Sequence, residues 1–233
     1  MTGRPVSPVL APIVVLTVLA VLLAGCGGGG DSGGDSGGDR ESADNPGGAV
    51  VRSPKADPHG LRGAVLDRPY VLPRTSLTDT GGAEFNLVTS TAKPVTLVFF
   101  GYTNCPDVCN TVLADIASAL TKLDDATRSE IQMVFITTDP ARDNGAAIRT
   151  FLDRFDPSFT GLTGDLGVIK SVAKAVGVAV EGMQKLPSGG YEVGHGAQVI
   201  GFGKDDTAGV LWTANTSIGD LAHDFGMLVE RNR

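Results

Sequence analysis

Val95-Thr96-Leu97-Val98-Phe99-Phe100-Gly101-Tyr102-Thr103-Asn104-Cys105-Pro106-Asp107-Val108-Cys109 is the stretch on which the fold turns. Its first six residues are continuously apolar, β-branched or aromatic, as in a strand buried on both faces. Beyond it, Val108, Val112, Leu113, Ile116, Ala119, Leu120 and Leu123 recur at three- and four-residue steps, which predicts an amphipathic helix from about Pro106 to Leu123 with Pro106 at its first position. Both thiols are therefore expected on the first turn of a helix that follows a buried strand. There, free backbone N–H groups and the positive end of the helix dipole favour a thiolate, which makes Cys105 in particular a candidate nucleophile or metal ligand. At i and i+4 the two Cβ atoms would lie about 5–6 Å apart, close enough for one metal ion to bridge the sulfurs. A disulfide would need a small local adjustment. As a purely structural staple it would contribute little, because it closes so short a loop.

Outward from this stretch, a second buried strand is expected at Ile131–Thr137 and a second helix at about Ala146–Phe155, with Ile148, Phe151, Leu152 and Phe155 on one face. A further helix is expected at about Leu166–Ala175, then strands at Gln198–Phe202 and Val210–Thr213, and a last helix from about Ser217 to Glu230. On the N-terminal side, Tyr70–Leu72 and Phe85–Val88 flank the turn-rich Asp79-Thr80-Gly81-Gly82 and suggest a hairpin. The order β-α-β-α, then β-β-α, predicts an α/β, thioredoxin-like fold with an N-terminal β-hairpin extension and loop insertions. Glu181–Gly194, with Gly182, Pro187, Ser188, Gly189 and Gly190, is expected to be a mobile loop.

The N-terminus carries Arg4, an apolar run from Val9 to Leu23, and then Leu23-Ala24-Gly25-Cys26. This pattern reads as a lipoprotein signal peptide over residues 1–25, with Cys26 the lipidated residue of the processed chain. Residues 26–56 hold that cysteine and a flexible Gly/Ser/Asp-rich linker, too polar to bury surface against the entropy of ordering. As a random coil the Gly27–Gly48 segment would reach on the order of 25 Å. Residues 57–233 are expected to form the folded domain, held at the extracytoplasmic face of the cell membrane by the lipid. Acylation of Cys26 leaves Cys105 and Cys109 as a local pair rather than a disulfide framework. The net charge of −7 has no basic stripe to offset it, which argues against a nucleic-acid partner.

Four landmarks stand in order: Gly101 to Cys109, Asp139-Pro140-Ala141-Arg142-Asp143, Phe159-Thr160-Gly161-Leu162-Thr163-Gly164, and Gly194-His195. With them the chain resembles the Sco/SenC family of copper chaperones from about Tyr70 to its C-terminus. The resemblance implies copper, as Cu(I) and/or Cu(II), held by Cys105, Cys109 and His195, with the mobile Glu181–Gly194 loop expected to bring His195 in only when metal is present. It also implies delivery of that copper to the dinuclear copper site of a cytochrome c oxidase subunit, or preparation of that site's thiols. Two thiolates and an imidazole form a soft set that suits copper, whereas structural zinc wants four protein ligands. His59 and His223 are expected to be surface residues outside the metal set, Met183 is a thioether in the loop, and Asp139 and Asp143 read as turn and helix-start chemistry near a strand end. Asn104, Asn110 and Gly194 depart from the histidine, proline and aspartate common in the family, and Gly194 removes a candidate acceptor for His195.

A metal carrier of this kind is not an enzyme in the turnover sense. The chief alternative is a thiol-disulfide oxidoreductase using Cys105 and Cys109 as a redox disulfide, or a redox or copper sensor on the same scaffold. Three intervening residues instead of two, and Gly194-His195-Gly196-Ala197 where thioredoxins carry a cis-proline, count against the oxidoreductase. Tyr102, where a peroxiredoxin-like peroxidase needs threonine, counts against that family.

Overall fold

Strands and helices alternate along residues 60–187 and 189–233, the part of the chain that the computed structural model describes. The apolar N-terminal run, Cys26, the Gly-rich stretch and His59 lie outside the described residues. In chain order the elements are β1 (Ala64–Val71), β2 (Ser76–Asp79), β3 (Glu84–Asn86), β4 (Val95–Gly101), α1 (Val108–Leu120), α2 (Asp125–Ser129), β5 (Ile131–Thr137) and α3 (Gly145–Leu152). They continue with β6 (Thr160–Thr163), α4 (Leu166–Ala175), β7 (Val180–Lys185), β8 (Tyr191–His195), β9 (Val199–Phe202), β10 (Thr207–Trp212) and α5 (Ile218–Asn232).

One sheet runs in the order β1-β10-β9-β4-β5-β6-β2-β3, and β7 and β8 pair separately. β4, β5 and β6 are parallel, in the register Val95↔Ile131 to Gly101↔Thr137 and Val134↔Thr160 to Ile136↔Leu162. Every residue of β4 is buried, as its unbroken apolar run requires. Its side chains alternate between two cores. Val95, Leu97 and Phe99 join residues of α1, α3 and α5, while Val98 and Phe100 join Ile169, Val172 and Ala173 of α4. The steps β4-α1-β5 and β5-α3-β6 move the same way along the sheet, so right-handed crossovers place both helices on one face. This is the expected thioredoxin-like arrangement.

The N-terminal pairing differs from the sequence expectation. The hairpin is β2–β3, closed at Asp79–Ala83 with Gly82 at φ +86°, whereas Tyr70 and Val71 belong to β1 and pair antiparallel with β10. Asp224, fully buried on α5, accepts hydrogen bonds from the Arg62 and Gly63 amides and from the Trp212 indole, and so fastens the start of β1. Glu181–Gly194, expected as a loop, is strand over most of its length. None of the helices in the described residues is long and apolar enough to cross a membrane.

Candidate metal centre

The parallel strands β4 and β5 end side by side at Gly101 and Thr137, and the loops leaving their carboxyl ends build the centre. The helix after β4 starts later than the spacing suggests, at Val108 with Asp107 as its cap. Pro106 accounts for this, because its ring disfavours helical backbone at the preceding residue, Cys105. Only Cys109 lies in the first turn of α1, while Cys105 sits in the loop before it. The helix end still acts on the Cys105 sulfur. The Asp107 side chain caps nothing, and the free Cys109 N–H instead donates to Cys105 Sγ at 3.4 Å.

Three fastenings hold the cysteine loop. Cys105 N–H donates to Tyr102 O at 3.1 Å, closing the turn. Asp143, fully buried, accepts from Thr103 N at 2.9 Å, from Thr103 Oγ1 at 2.6 Å and from Thr137 Oγ1 at 2.6 Å, which ties the loop to the end of β5. Asn110 Nδ2 donates to Cys105 O at 3.2 Å while its Oδ1 accepts from Arg154, so at this position an amide does the bracing. Gly101 is required by close approach: a Cβ there would stand 2.9 Å from the Phe135 ring and 3.0 Å from Cys109 Sγ.

His195 closes the centre from the opposite side. It ends β8, opposite Val180, and its ring lies edge-on to Tyr102 at 5.7 Å and to Phe99 at 6.3 Å between centroids. Nδ1 lies 3.0 Å from Gly196 O, and because a carbonyl only accepts, this bond places the proton on Nδ1. Nε2 then presents a lone pair toward Cys109 Sγ, 3.4 Å away. The acceptor that Gly194 cannot supply comes from the neighbouring backbone. The ligand atoms of Cys105, Cys109 and His195 all lie within 4.8 Å of one another, and the two cysteines are free thiols.

The two thiols are unequal. Cys105 is lowered to about 4, chiefly by the hydrogen bond from Cys109, with the amides of Cys109 and Asp107 assisting and burial opposing. Cys109 is raised, first by that same bond, then by burial and by the charges of Cys105 and Asp143. One proton shared between the sulfurs thus rests on Cys109. Such a site can take a soft cation on two sulfurs and an imidazole, or attack a disulfide with Cys105.

The sequence-expected ligands are thus brought together, and the other candidates are placed elsewhere. Met183 is 67% exposed on β7, and His223, on α5, is bonded to Asp224. The role of Asp143 was hidden in what reads as a helix start. Its only sequence sign is proximity to a strand end.

A family model described as SCO1/SenC matches residues 67–230. The chain belongs to the SCO1/SenC family. A Stutzerimonas stutzeri protein described as copper-binding is 32% identical over 141 residues, 60% of this chain and 68% of that one. The mitochondrial SCO1 of Saccharomyces cerevisiae is 37% identical over 98 residues, 42% of this chain, and the match spans 33% of its length. Among solved structures, apo Sco1 of Thermus thermophilus superposes with a TM-score of 0.64 at 28% identity, covering 74% of this chain and 99% of that one. Copper-bound ScoI of Bradyrhizobium japonicum gives 0.59 at 29% identity, covering 71% and 98%. BsSco, described with a disulfide switch as one of the Sco cytochrome c oxidase assembly proteins, has the same fold at 21% identity and a TM-score of 0.55, covering 71% of this chain and 98% of its own.

Proposed function

We propose that this SCO1/SenC member carries copper on Cys105, Cys109 and His195 and passes it to the dinuclear copper site of a cytochrome c oxidase subunit, working at the outer face of the membrane through a lipid on Cys26. The observation that carries the reading is the convergence of two sulfurs and an imidazole nitrogen within 4.8 Å. This donor set is soft, offers three positions, and leaves a side open for an incoming ligand of the receiving protein. Transfer would then proceed by exchange of ligands one at a time. His195 is held through Nδ1 so that Nε2 faces the sulfurs, and Cys105 binds as the thiolate it already is at neutral pH. Cys109 gives up its proton as it ligates.

The test is copper stoichiometry on the reduced full chain in detergent, for the parent, Cys105→Ser, Cys109→Ser and His195→Ala, with His59→Ala and His223→Ala as controls. One copper per chain, weakened by the first three changes and untouched by the controls, supports the site. Delivery is a separate question. Deleting the gene should lower oxidase copper content under copper limitation, and an unchanged content would remove the delivery role even if copper binds. The lowered Cys105 beside Cys109 favours a second reading, a membrane-tethered thiol-disulfide oxidoreductase. Absence of copper binding, together with ready cycling on a disulfide substrate, would decide for it.

A further inference from the structure

His195 reaches the cysteines from a two-stranded sheet, and an isolated pair of strands is only marginally stable in water. β7 is exposed from Glu181 to Lys185, and only Val180 at its start packs, partly buried, against the core that includes α4. Buried Val193 gives β8 one apolar anchor. The other lies at Tyr191, the first residue of β8, and there Arg142 and Asp139 grip three parts of one residue. Arg142 Nη1 donates to Tyr191 O at 3.1 Å, and its guanidinium lies 3.7 Å over the centre of the Tyr191 ring. Arg142 Nε pairs with Asp139, whose other oxygen accepts the Tyr191 hydroxyl at 3.0 Å. The guanidinium also stands 5.7 Å from the centre of the Tyr102 ring, and Tyr102 is edge-on to His195.

This clamp comes at a cost in hydrogen bonding. Arg142 Nη2 is buried without a partner among the described residues, which forfeits the solvation of its two N–H groups. Asp139 and Arg142 belong to the same five-residue segment as Asp143, which holds the cysteine loop through Thr103. We propose that Arg142 is the positioning residue that sets His195 against the cysteine pair, by clamping Tyr191 of the histidine hairpin to the segment whose Asp143 clamps the cysteine loop. The two ligand-bearing elements are thereby registered to each other before metal arrives. This rests on the reading of His195 as a ligand, and it makes the hairpin a preset arm where the sequence suggested a loop waiting for metal.

Lysine keeps the charge of arginine but cannot stack and fork at once, so Arg142→Lys tests the clamp with little risk to the fold. On the full chain in detergent, Cu(I) affinity would be measured by competition with a chromophoric chelator for the parent, Arg142→Lys, His195→Ala and the double variant. Arg142→Lys should weaken binding by roughly 10-fold, the scale of a residue that supports a ligand. In the His195→Ala background it should add no further loss, because it acts through His195. Without copper, amide hydrogen exchange in Arg142→Lys should quicken across Val180–Lys185 and Tyr191–His195 and stay unchanged in Val95–Gly101. Equal losses in both backgrounds, or unaltered exchange in the hairpin, would overturn the proposal. If His195→Ala itself leaves affinity intact, the ligand assignment falls, and the exchange rates alone then decide the clamp.

Discussion

The cysteine loop and the histidine hairpin meet at one centre but stand on unequal supports. Cys109 is fully buried and Cys105 6% exposed, and the loop between them follows a strand buried at every residue. The hairpin is a separate two-stranded sheet, attached through Val193 and Tyr191 to one core and through Val180 to the other. Ligands on rigid, buried elements hold their geometry through metal exchange, while a ligand on a lightly supported element yields first. A carrier needs both properties. Under the proposed carrier function, the contrast would assign retention to the sulfurs and release to His195.

The largest effects should fall on the rigid side. Cys109→Ser, measured by chelator competition, should weaken Cu(I) binding by more than about 100-fold, beyond the range for a residue that only supports a ligand. His195→Ala should cost less and act mainly on the rate at which copper leaves, read by stopped-flow transfer to the chelator. Equal losses at the two positions would erase the division between a holding side and a releasing side.

Next comes the fastening of the rigid side. Asp143 accepts three hydrogen bonds while fully buried, so Asp143→Ala should destabilise the fold by about 1–3 kcal/mol and free Thr103 at the head of the cysteine loop. Urea unfolding checks it. A loss no larger than that of an exposed substitution such as Asp67→Ala would mean that the loop holds itself without this carboxylate.

These unequal supports also explain what could be read in advance. β4, β5, α4 and α5 were legible to within a few residues because each buries a face, and burial writes its period into the sequence. β7 and β8 were not, since β7 has no buried face to repeat and Gly182, Pro187, Gly189 and Gly190 compose like a loop. The pairing of β1 with β10 joins residues far apart in the chain, and periodicity carries no information about such partners. The cysteines announced themselves by position after a buried strand. His195 had no such local sign and was found through resemblance, and Asp143 and Arg142 act through tertiary bonds that turn chemistry conceals.

The pH response should separate the two sulfurs within the rigid side. Cys105 is lowered in the folded chain, so its contribution to stability is full above the ordinary thiol range and fades as pH falls toward about 4. Cys109 is raised, so its contribution is full below the ordinary thiol range and is lost as pH climbs beyond it. Stability of the reduced, copper-free chain should therefore peak in mildly alkaline solution. Thiolate absorbance near 240 nm should show one ionised sulfur per folded chain persisting well below pH 7, and none there after unfolding in urea. Identical titrations of the folded and unfolded chains would mean that the helix end and the shared proton do nothing for Cys105.

The smallest effect should be on the outer edge of the hairpin. Met183 stands opposite Val193 in the β7–β8 register, yet is 67% exposed where Val193 is 6% exposed. A side chain that remains in water gives up little when shortened, so Met183→Ala should change stability by no more than about 0.5 kcal/mol. Copper affinity should be unaltered, because nothing in the bonding of His195 passes through it. A measurable weakening, with stability intact, would mean that the thioether reaches the metal. The hairpin would then bring two donors to the site, and the weakly supported side would hold copper as well as release it.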